Sequence, residues 1–382
     1  MNEYYFDNAA STRPYKEVSE AVALWMSEEY ANPSSLHKKG MTASSAVSFA
    51  SKKILDVLAL TDRKVIFTSG ATESANAALR GVMEKSQDTG RGNIITTSIE
   101  HPCVSEVFRY YAQRNAEVRT VGTDRFGQIN PDELEQAVDS STRLVSFIWV
   151  NNEFGSVQPV QHLAEIIKKK NSRALIHLDA VQGFGKVHDD LSQIDMISLS
   201  AHKFHGPKGV GALVLKNGIS LAPIILGGGQ QDNLRSGTIN APGIYGCGTA
   251  AELTALRKPG VQMTELRNYL YGRLESAFGS EIFNTLINEA DYAPHIINIS
   301  LEPFKGEVML HMLEESGIYV STASACSSHK KDSESVLLSL GMSRKRAESA
   351  LRISLSEFST KDEADYLTEK LLDTAERLRS LK

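Results

Sequence analysis

The sequence predicts an α/β protein: a large domain with a mainly parallel sheet flanked by helices, and a smaller α+β domain. Six apolar runs of strand length alternate with longer segments of helical period, which is the pattern of a buried parallel sheet. After about residue 279 the pattern changes to short strands and helices, which favours a separate, smaller unit. The predicted limits are 15–255 for the large domain, and 1–14 together with 256–382 for the small one.

The predicted strands of the large domain are short apolar runs. They are KVIFTS (64–69), NIITTS (93–98), RLVSFIWV (143–150), ALIHLD (174–179), MISLS (196–200) and GALVL (211–215). Stretches at 73–85, 104–115 and 161–170 have the length of crossover helices, each covering one face of the sheet. A glycine-rich stretch, LGGGQQDNLRSGT (226–238), precedes a long helical region at about 243–279.

The small domain is predicted from shorter segments. Its strands are HIINISL (295–301), IYVST (318–322) and LRISLS (351–356), with helices near 306–316, 333–340 and 360–380. The stretch STASACSSHKKDSES (321–335) has small and polar residues without apolar periodicity, which predicts an exposed, mobile loop. Cys326 lies in this loop, where we expect it to be accessible. Cys247 has apolar neighbours and is interpreted as a small buried residue, and Cys103, two residues beyond His101, is also interpreted as structural.

Composition and charge exclude several classes of function. The chain has 382 residues, 41% hydrophobic and 23% charged, which excludes a disordered, collagen-like or coiled-coil protein. A net charge of −5 provides no positive electrostatic field that would attract nucleic acid or an anionic membrane. We therefore expect a small-molecule or protein partner. No membrane-spanning run or secretory signal is predicted, and three separated cysteines indicate a reducing compartment. We therefore expect a cytoplasmic protein.

Polar residues follow three predicted strands at their carboxyl ends, where open parallel sheets bind ligands. After KVIFTS, the turn at 70–74 opens a helix and predicts an anion cradle, although a capped glycine turn would have the same sequence. Asp179 ends ALIHLD and needs a cationic or proton-donating partner, unless it caps a helix. Lys203 follows MISLS, and taken alone it is more typical of a surface lysine.

Together, the three sites match the requirements of one cofactor, pyridoxal 5'-phosphate. This cofactor needs a lysine that binds it as a Schiff base, an acid that keeps its pyridine nitrogen protonated, and a phosphate site. The combination is far rarer than any one of its members. The sequence therefore predicts a pyridoxal-phosphate enzyme.

Ten strings spread in order over nearly the whole chain carry a family resemblance. They are YFDNAASTRP (5–14), ANPSSLHKKG (31–40), IFTSGATESAN (66–76), TSIEHPCV (97–104), VNNEFGSVQP (150–159), HLDAVQGFGK (177–186), SAHKFHGPKGVGAL (200–213), GGGQ with LRSGT (227–238), SACSS (324–328) and LRISL (351–355). They resemble the cysteine desulfurases, the NifS/IscS-like members of the class V, fold-type I pyridoxal-phosphate enzymes. The resemblance implies a fold-type I transferase that converts L-cysteine to L-alanine.

The resemblance also implies roles for individual residues. The residues implied in catalysis are Lys203, Cys326 and His101. The residues implied in cofactor binding are Ala71, Thr72, His101, Asn152, Asp179, Gln182, Ser200, His202, Lys203 and, from a neighbouring subunit, Thr238. The residues implied in substrate binding are Asn32, Asn152 and Arg352. Arg352 also makes chemical sense, because a guanidinium can bind a carboxylate bidentately, although a surface arginine is the alternative. The role of Arg235 stays open.

The implied reaction leaves the sulfur as a persulfide on Cys326. The resemblance implies a homodimer that passes the sulfur to acceptor proteins, either an iron–sulfur scaffold or a tRNA-thiolation protein. Two alternatives remain at this point. One is another class V enzyme, such as a selenocysteine lyase, a kynureninase-like hydrolase or an aminotransferase. The other is an inactive paralogue that serves as a binding scaffold.

Overall fold

A seven-stranded sheet lies at the centre of the computed structural model, which describes residues 3–85, 92–284, 292–322 and 336–381. Its spatial order is β2 (Arg63–Thr68), β8 (Gly211–Lys216), β7 (Met196–Ser200), β6 (Leu175–Asp179), β5 (Leu144–Ile148), β3 (Asn93–Thr97) and β4 (Glu117–Val121). Strand β8 is antiparallel to both neighbours, and the other pairs are parallel. The predicted, largely parallel sheet is confirmed.

Helices cover both faces of this sheet. They are α1 (Lys16–Ser27), α2 (Lys38–Leu58), α3 (Ala71–Lys85), α4 (Pro102–Ala112), α5 (Pro131–Ala137), α6 (Val160–Lys170) and α7 (Ala241–Arg257). Successive strand residues enter opposite cores: Leu144 packs into one apolar cluster and Val145 into the other. This alternation explains why the central strands have consecutive apolar residues, since side chains of a strand point alternately to its two faces. Helices α1 and α2 are not anticipated by the sequence analysis.

The predicted helical region at about 243–279 is two helices rather than one. Helix α7 ends at Arg257, Lys258 adopts a left-handed conformation with φ of 48°, and α8 (Pro259–Phe278) begins at the next residue. A proline fits the first turn of a helix but not its interior, so the sequence Lys258-Pro259 explains the break. Helix α7 packs on the large sheet, whereas Leu270 of α8 is buried in a separate core.

That separate core belongs to a four-stranded antiparallel sheet. Its spatial order is β12 (Ser321–Thr322), β13 (Ala350–Ser354), β10 (Ile296–Leu301) and β9 (Ile282–Asn284). The associated helices are α9 (Gly306–Glu314), α10 (Val336–Ser339), α11 (Arg344–Glu348) and α12 (Lys361–Ser380). The predicted domain limits stay a prediction. Residues 323–335, with Cys326, which make up most of the predicted mobile loop, lie outside the described residues.

The segment at 4–9 contacts the smaller sheet although it precedes the large one in sequence. Strand β1 (Tyr4–Tyr5) pairs in parallel with β11 (Ile318–Tyr319) as a separate two-stranded sheet, and Asp7 forms a bridge to Ser354 of β13. The Asn8 side chain donates to the Ser354 carbonyl at 3.0 Å, and the Ala9 N–H donates to the Ser354 hydroxyl at 2.8 Å. These bonds bring the backbone of residues 7–11 to the edge of the large sheet. Across the described ranges, every helix is too short or too polar to cross a bilayer.

Candidate active site

A cavity of about 670 Å³ opens at the carboxyl edge of the large sheet, facing the smaller sheet. Its wall includes ten of the predicted site residues: Ala71, Thr72, His101, Asn152, Asp179, Gln182, Ser200, His202, Lys203 and Arg352. These residues are spread over 282 positions of the sequence and come from both sheets, so the folded chain alone brings them together.

The cavity wall includes groups of the kind that bind a phosphate. Helix α3 begins at Ala71, directly after β2 and Gly70, so the N–H groups of its first turn point outward at the cavity. Ser200, His202 and Lys208 line the same cavity and add hydroxyl, imidazole and ammonium donors. Glycine is required at 211 on β8, because a Cβ there would lie 2.6 Å from the backbone of Gly70.

An ion pair fixes the start of helix α3. Glu73 accepts from the Ser69 N–H at 2.9 Å and from Arg235 Nε at 2.9 Å. Burial alone would raise the pKa of Glu73, but the hydrogen bonds from Arg235 and Ser69 lower it below its ordinary value. Arg235 therefore supports the turn that presents the phosphate-binding groups.

Asp179, at the end of β6, is a buried carboxylate with weak partners. Its Oδ1 accepts from the Val181 N–H at 3.1 Å, and its Oδ2 is 3.9 Å from the Cys103 thiol. Burial raises the pKa of Asp179, and the nearby His101 and Lys203 oppose that shift. A thiol is a poor donor to a carboxylate, so this side of Asp179 suits a protonated ring nitrogen.

His101 caps helix α4 on the opposite wall. Its Nδ1 accepts from the Cys103 N–H at 3.1 Å, so the proton of the neutral ring is on Nε2. Burial lowers the pKa of His101, which favours this neutral form, while the charge of Asp179 raises it. The ring is thus held in one orientation and one protonation pattern.

Lys203 lies in a single 3₁₀ turn, Ala201–Lys203, directly after β7. Its Nζ donates to the Ala9 carbonyl at 2.6 Å and to the Ala10 carbonyl at 2.9 Å. Gln182 donates to the same Ala9 carbonyl at 2.8 Å, and its Oε1 accepts from His295 at 3.1 Å. The backbone at residues 9–10 therefore positions both the amine and the amide.

Arg352 on β13 forms the wall contributed by the smaller sheet. Its guanidinium donates to the Asn152 carbonyl at 2.9 Å and to the Asp7 carboxylate at 2.8 Å. Arg352 Nε and Glu153 Oε2 are buried without a hydrogen-bond partner among the described residues. Burial raises the pKa of Glu153 to about 7, against the opposing charge of Arg352. Unpaired buried groups of this kind indicate a ligand that supplies the missing partner.

Three predicted site residues are not in this wall. Asn32 is exposed in the loop between α1 and α2, where its side chain accepts from the Ser34 N–H at 2.9 Å. Thr238 is exposed in the segment before α7. Cys326 lies outside the described residues, although Thr322, four positions earlier, lines the cavity.

Several residues of the wall were not predicted from the sequence. They are Asp7, Ala9, Ala10, Ser11, Glu153 and Lys208, and Cys103, which was interpreted as structural, also lines the cavity. Asp7, Ala9, Ala10 and Ser11 lie within YFDNAASTRP, and Glu153 lies within VNNEFGSVQP, so the strings that carry the resemblance contained the signal.

Comparisons with known proteins agree with this geometry. The aminotransferase class-V family model matches residues 4–367. The chain is 36% identical to the cysteine desulfurase IscS of Methanosarcina thermophila, over 99% of this chain and 93% of that protein. It is 38% identical to a NifS/IcsS homolog of Lactobacillus delbrueckii subsp. bulgaricus, over 94% of each protein.

Solved structures give the same result. A NifS-like protein has a TM-score of 0.90 and 37% identity, over 98% of this chain and all of that chain. A structure described as SspA in complex with cysteine has a TM-score of 0.80 and 32% identity, over 94% of this chain and all of that chain.

Proposed function

Because the chain belongs to the aminotransferase class-V family, we propose that it is a pyridoxal-phosphate-dependent cysteine desulfurase. The observation that supports this most strongly is the convergence of a lysine amine, a buried carboxylate and a helix N-terminus around one cavity. These are the three requirements of the cofactor, and each comes from a different strand end of the same sheet.

The residues present fit the cofactor. The first turn of α3 with Ser200 and His202 would hold the phosphate, and Asp179 would accept from the ring nitrogen. The second N–H of the Gln182 amide would reach the phenolic oxygen, because its first is bound to the Ala9 carbonyl. When bound, pyridoxal phosphate supplies an electron sink that stabilises a carbanion at the substrate Cα.

The remaining residues would bind and orient L-cysteine. Arg352 has N–H groups left for the substrate carboxylate, since among the described residues Asp7 and Asn152 engage two of its donors. A substrate bound there would lie in the same cavity as the Lys203 amine, which would remove the Cα proton as a general base. His101, whose Nε2 bears the proton of the neutral ring, would donate or accept a proton above the reacting atoms.

Sulfur transfer requires a nucleophile that collects the sulfur, and Cys326 is the proposed one. Its thiolate attacks the substrate sulfur, the Cβ–Sγ bond breaks and an S–S bond forms, which leaves a persulfide on Cys326. The substrate carbon skeleton takes the electron pair of the broken bond and, after protonation, leaves as L-alanine. The position of Thr322 in the cavity wall supports this assignment, because Cys326 follows it by four residues.

The partners and location form part of the same proposal. We expect a homodimer in which Thr238 reaches the phosphate of the neighbouring subunit, and a protein acceptor for the sulfur in iron–sulfur assembly or tRNA thiolation. The exposure of Thr238 outside the cavity of its own chain fits the first expectation. Cytoplasmic location is proposed from the three widely separated cysteines, which suit a reducing compartment.

The test is production of alanine and sulfide from L-cysteine with a reductant, while the visible spectrum of the cofactor is recorded. Both Cys326→Ser and Lys203→Ala should lose activity, and only Cys326→Ser should keep the absorption band of the lysine-bound cofactor. Activity that survives in Cys326→Ser would instead assign a different class V reaction. A protein that stays colourless after reconstitution would favour a binding scaffold.

A further inference from the structure

A second lysine is buried directly behind the site. Lys186 follows the turn that carries Gln182, and its Nζ donates to the backbone carbonyl of Lys203 at 2.8 Å. The Lys186 side chain is only 9% exposed. Lysine is almost never buried without a reason, because removing an ammonium from water is costly. None of the steps proposed above uses this residue.

A second lysine and several histidines lie near Lys186. Burial lowers the pKa of Lys186 to about 7, and the positive charge of Lys203 adds to that shift. The charge of Lys186 in turn lowers the pKa of three histidines in the surrounding turns, His202, His205 and His295, after the larger effect of burial. The charged or titratable groups that face the lysine pair are His101, Asp179, His202, His205, His295 and Arg352.

Lys186 therefore acts on Lys203 in two ways, through a hydrogen bond and through its charge. The hydrogen bond ties the turn after β6 to the turn after β7, so that Gln182 and Lys203 keep a fixed spacing. The ammonium of Lys186 also opposes a second positive charge on Lys203. A neighbouring cation is a known way to keep a lysine amine unprotonated and nucleophilic.

We propose that Lys186 is a positioning residue that holds the Lys203 turn and favours the unprotonated form of the Lys203 nitrogen. This inference rests on the proposed function, because it takes Lys203 as the residue that binds the cofactor. An unprotonated amine is the form that attacks an aldehyde and accepts a proton from the substrate. Lys186 would thus act on the reaction through Lys203 without touching the substrate.

The experiment is a pH titration of the visible spectrum of the cofactor-loaded, full-length protein. The absorption changes when the cofactor-bound nitrogen of Lys203 loses its proton, so the midpoint measures the proton affinity of that nitrogen. In Lys186→Met the midpoint should rise by up to roughly one pH unit, about tenfold in proton affinity, because the positive charge that Lys186 carries below about pH 7 is lost. Lys186→Gln keeps an N–H donor, and its midpoint should also rise. It replaces Lys186→Met in the experiment if the methionine variant does not fold.

Two variants separate charge from packing. Lys168→Met is the matched control, because Lys168 also donates to a backbone carbonyl, that of Ala174 at 2.9 Å, but it is bonded to Ala174 and Asp195 rather than to the Lys203 turn. Its midpoint should equal that of the wild type. Lys186→Arg keeps the charge and should not raise the midpoint.

Two results of the titration would contradict the proposal. An unchanged midpoint in folded Lys186→Met and Lys186→Gln would overturn the proposal, as would a rise in Lys186→Arg equal to that in Lys186→Met. The titration requires bound cofactor but no turnover. Failure to release sulfide from L-cysteine would therefore count against the proposed function and leave this inference standing.

Discussion

Asp179 has a carboxylate oxygen whose nearest donor, among the described residues, is a thiol at 3.9 Å. A buried carboxylate in that position is unfavourable until a better donor arrives. Binding of the cofactor would supply such a donor at its ring nitrogen, and the carboxylate would then keep that nitrogen protonated. The free energy that burial of the Asp179 carboxylate costs in the cofactor-free protein is thus offset when the carboxylate accepts a hydrogen bond from the ring nitrogen of the bound cofactor.

Replacement of Asp179 by Asn should therefore separate cofactor binding from catalysis. We expect turnover of L-cysteine to fall by about a hundredfold or more, because a neutral amide stabilises the ring charge less, a loss of ~2.7 kcal/mol. Cofactor should still bind through Lys203 and the phosphate site. Measurement of kcat and of the bound cofactor tests this.

Asp195→Asn is the control for this experiment. Asp195 is a buried carboxylate paired with Lys168 at 2.6 Å, directly before β7. Equal losses in both variants would contradict the prediction.

The charged side chains at the strand ends could be predicted from the sequence, but the backbone carbonyls that bind the Lys203 amine could not. Lys203 and Asp179 could be found because a charged residue directly after an apolar strand is conspicuous in the sequence. The carbonyls of Ala9 and Ala10, which hold the Lys203 amine, have no such signature, since every residue carries a carbonyl. Asn32 and Thr238 rest on the resemblance alone and stay predictions.

One side chain of strand β6 is hydrogen-bonded to both neighbouring strands. His177 is hydrogen-bonded to Ser146 of β5 and to Ser198 of β7, each at 2.8 Å. Burial lowers the pKa of His177 to about 3, so the ring is neutral in the folded protein at ordinary pH. Since Asp179 ends the same strand, this element holds one of the principal site residues in place.

The depressed pKa of His177 makes this element sensitive to acid. In the unfolded chain a histidine takes up a proton below about pH 6.5, whereas folded His177 does so only near pH 3. Its contribution to stability is therefore present above pH 6.5 and is lost as the pH falls. The free energy of unfolding of wild type, minus that of His177→Gln, should decrease by about 2 kcal/mol from pH 7 to pH 5. Urea unfolding at both pH values measures this, and a constant difference would contradict it.

The elements themselves were predicted unevenly. Strands β3, β5, β6 and β7 are almost entirely buried and each contains several apolar residues, so their runs stand out. Strand β4 was missed because an edge strand with the sequence EVRTV is half polar. Nor could the sequence indicate that β8 runs antiparallel, since direction depends on the path of the connection. The break between α7 and α8 was readable from Lys258-Pro259.

At the scale of the whole molecule, a site shared between subunits makes a specific prediction. If Thr238 acts in the neighbouring subunit, a dimer of one Lys203→Ala chain and one Thr238→Ala chain has one intact site. Mixing the two variants at limiting cofactor should therefore raise desulfurase activity to roughly a quarter of wild type, above either variant alone. Exchange of subunits is checked with two affinity tags. No gain after confirmed exchange would mean that Thr238 does not act across subunits.

The path of residues 4–10 has a consequence for synthesis of the protein. Ala9 is hydrogen-bonded to Ser354, which lies 345 positions later in the chain. At ~5–20 residues per second a ribosome needs roughly 20 to 70 seconds to cover that distance. In the later part of this interval β8, which ends at Lys216, has been made and the large sheet can be complete, but Ala9 still lacks its hydrogen bond to Ser354. We expect nascent chains to acquire the cofactor only late, after β13 has left the ribosome.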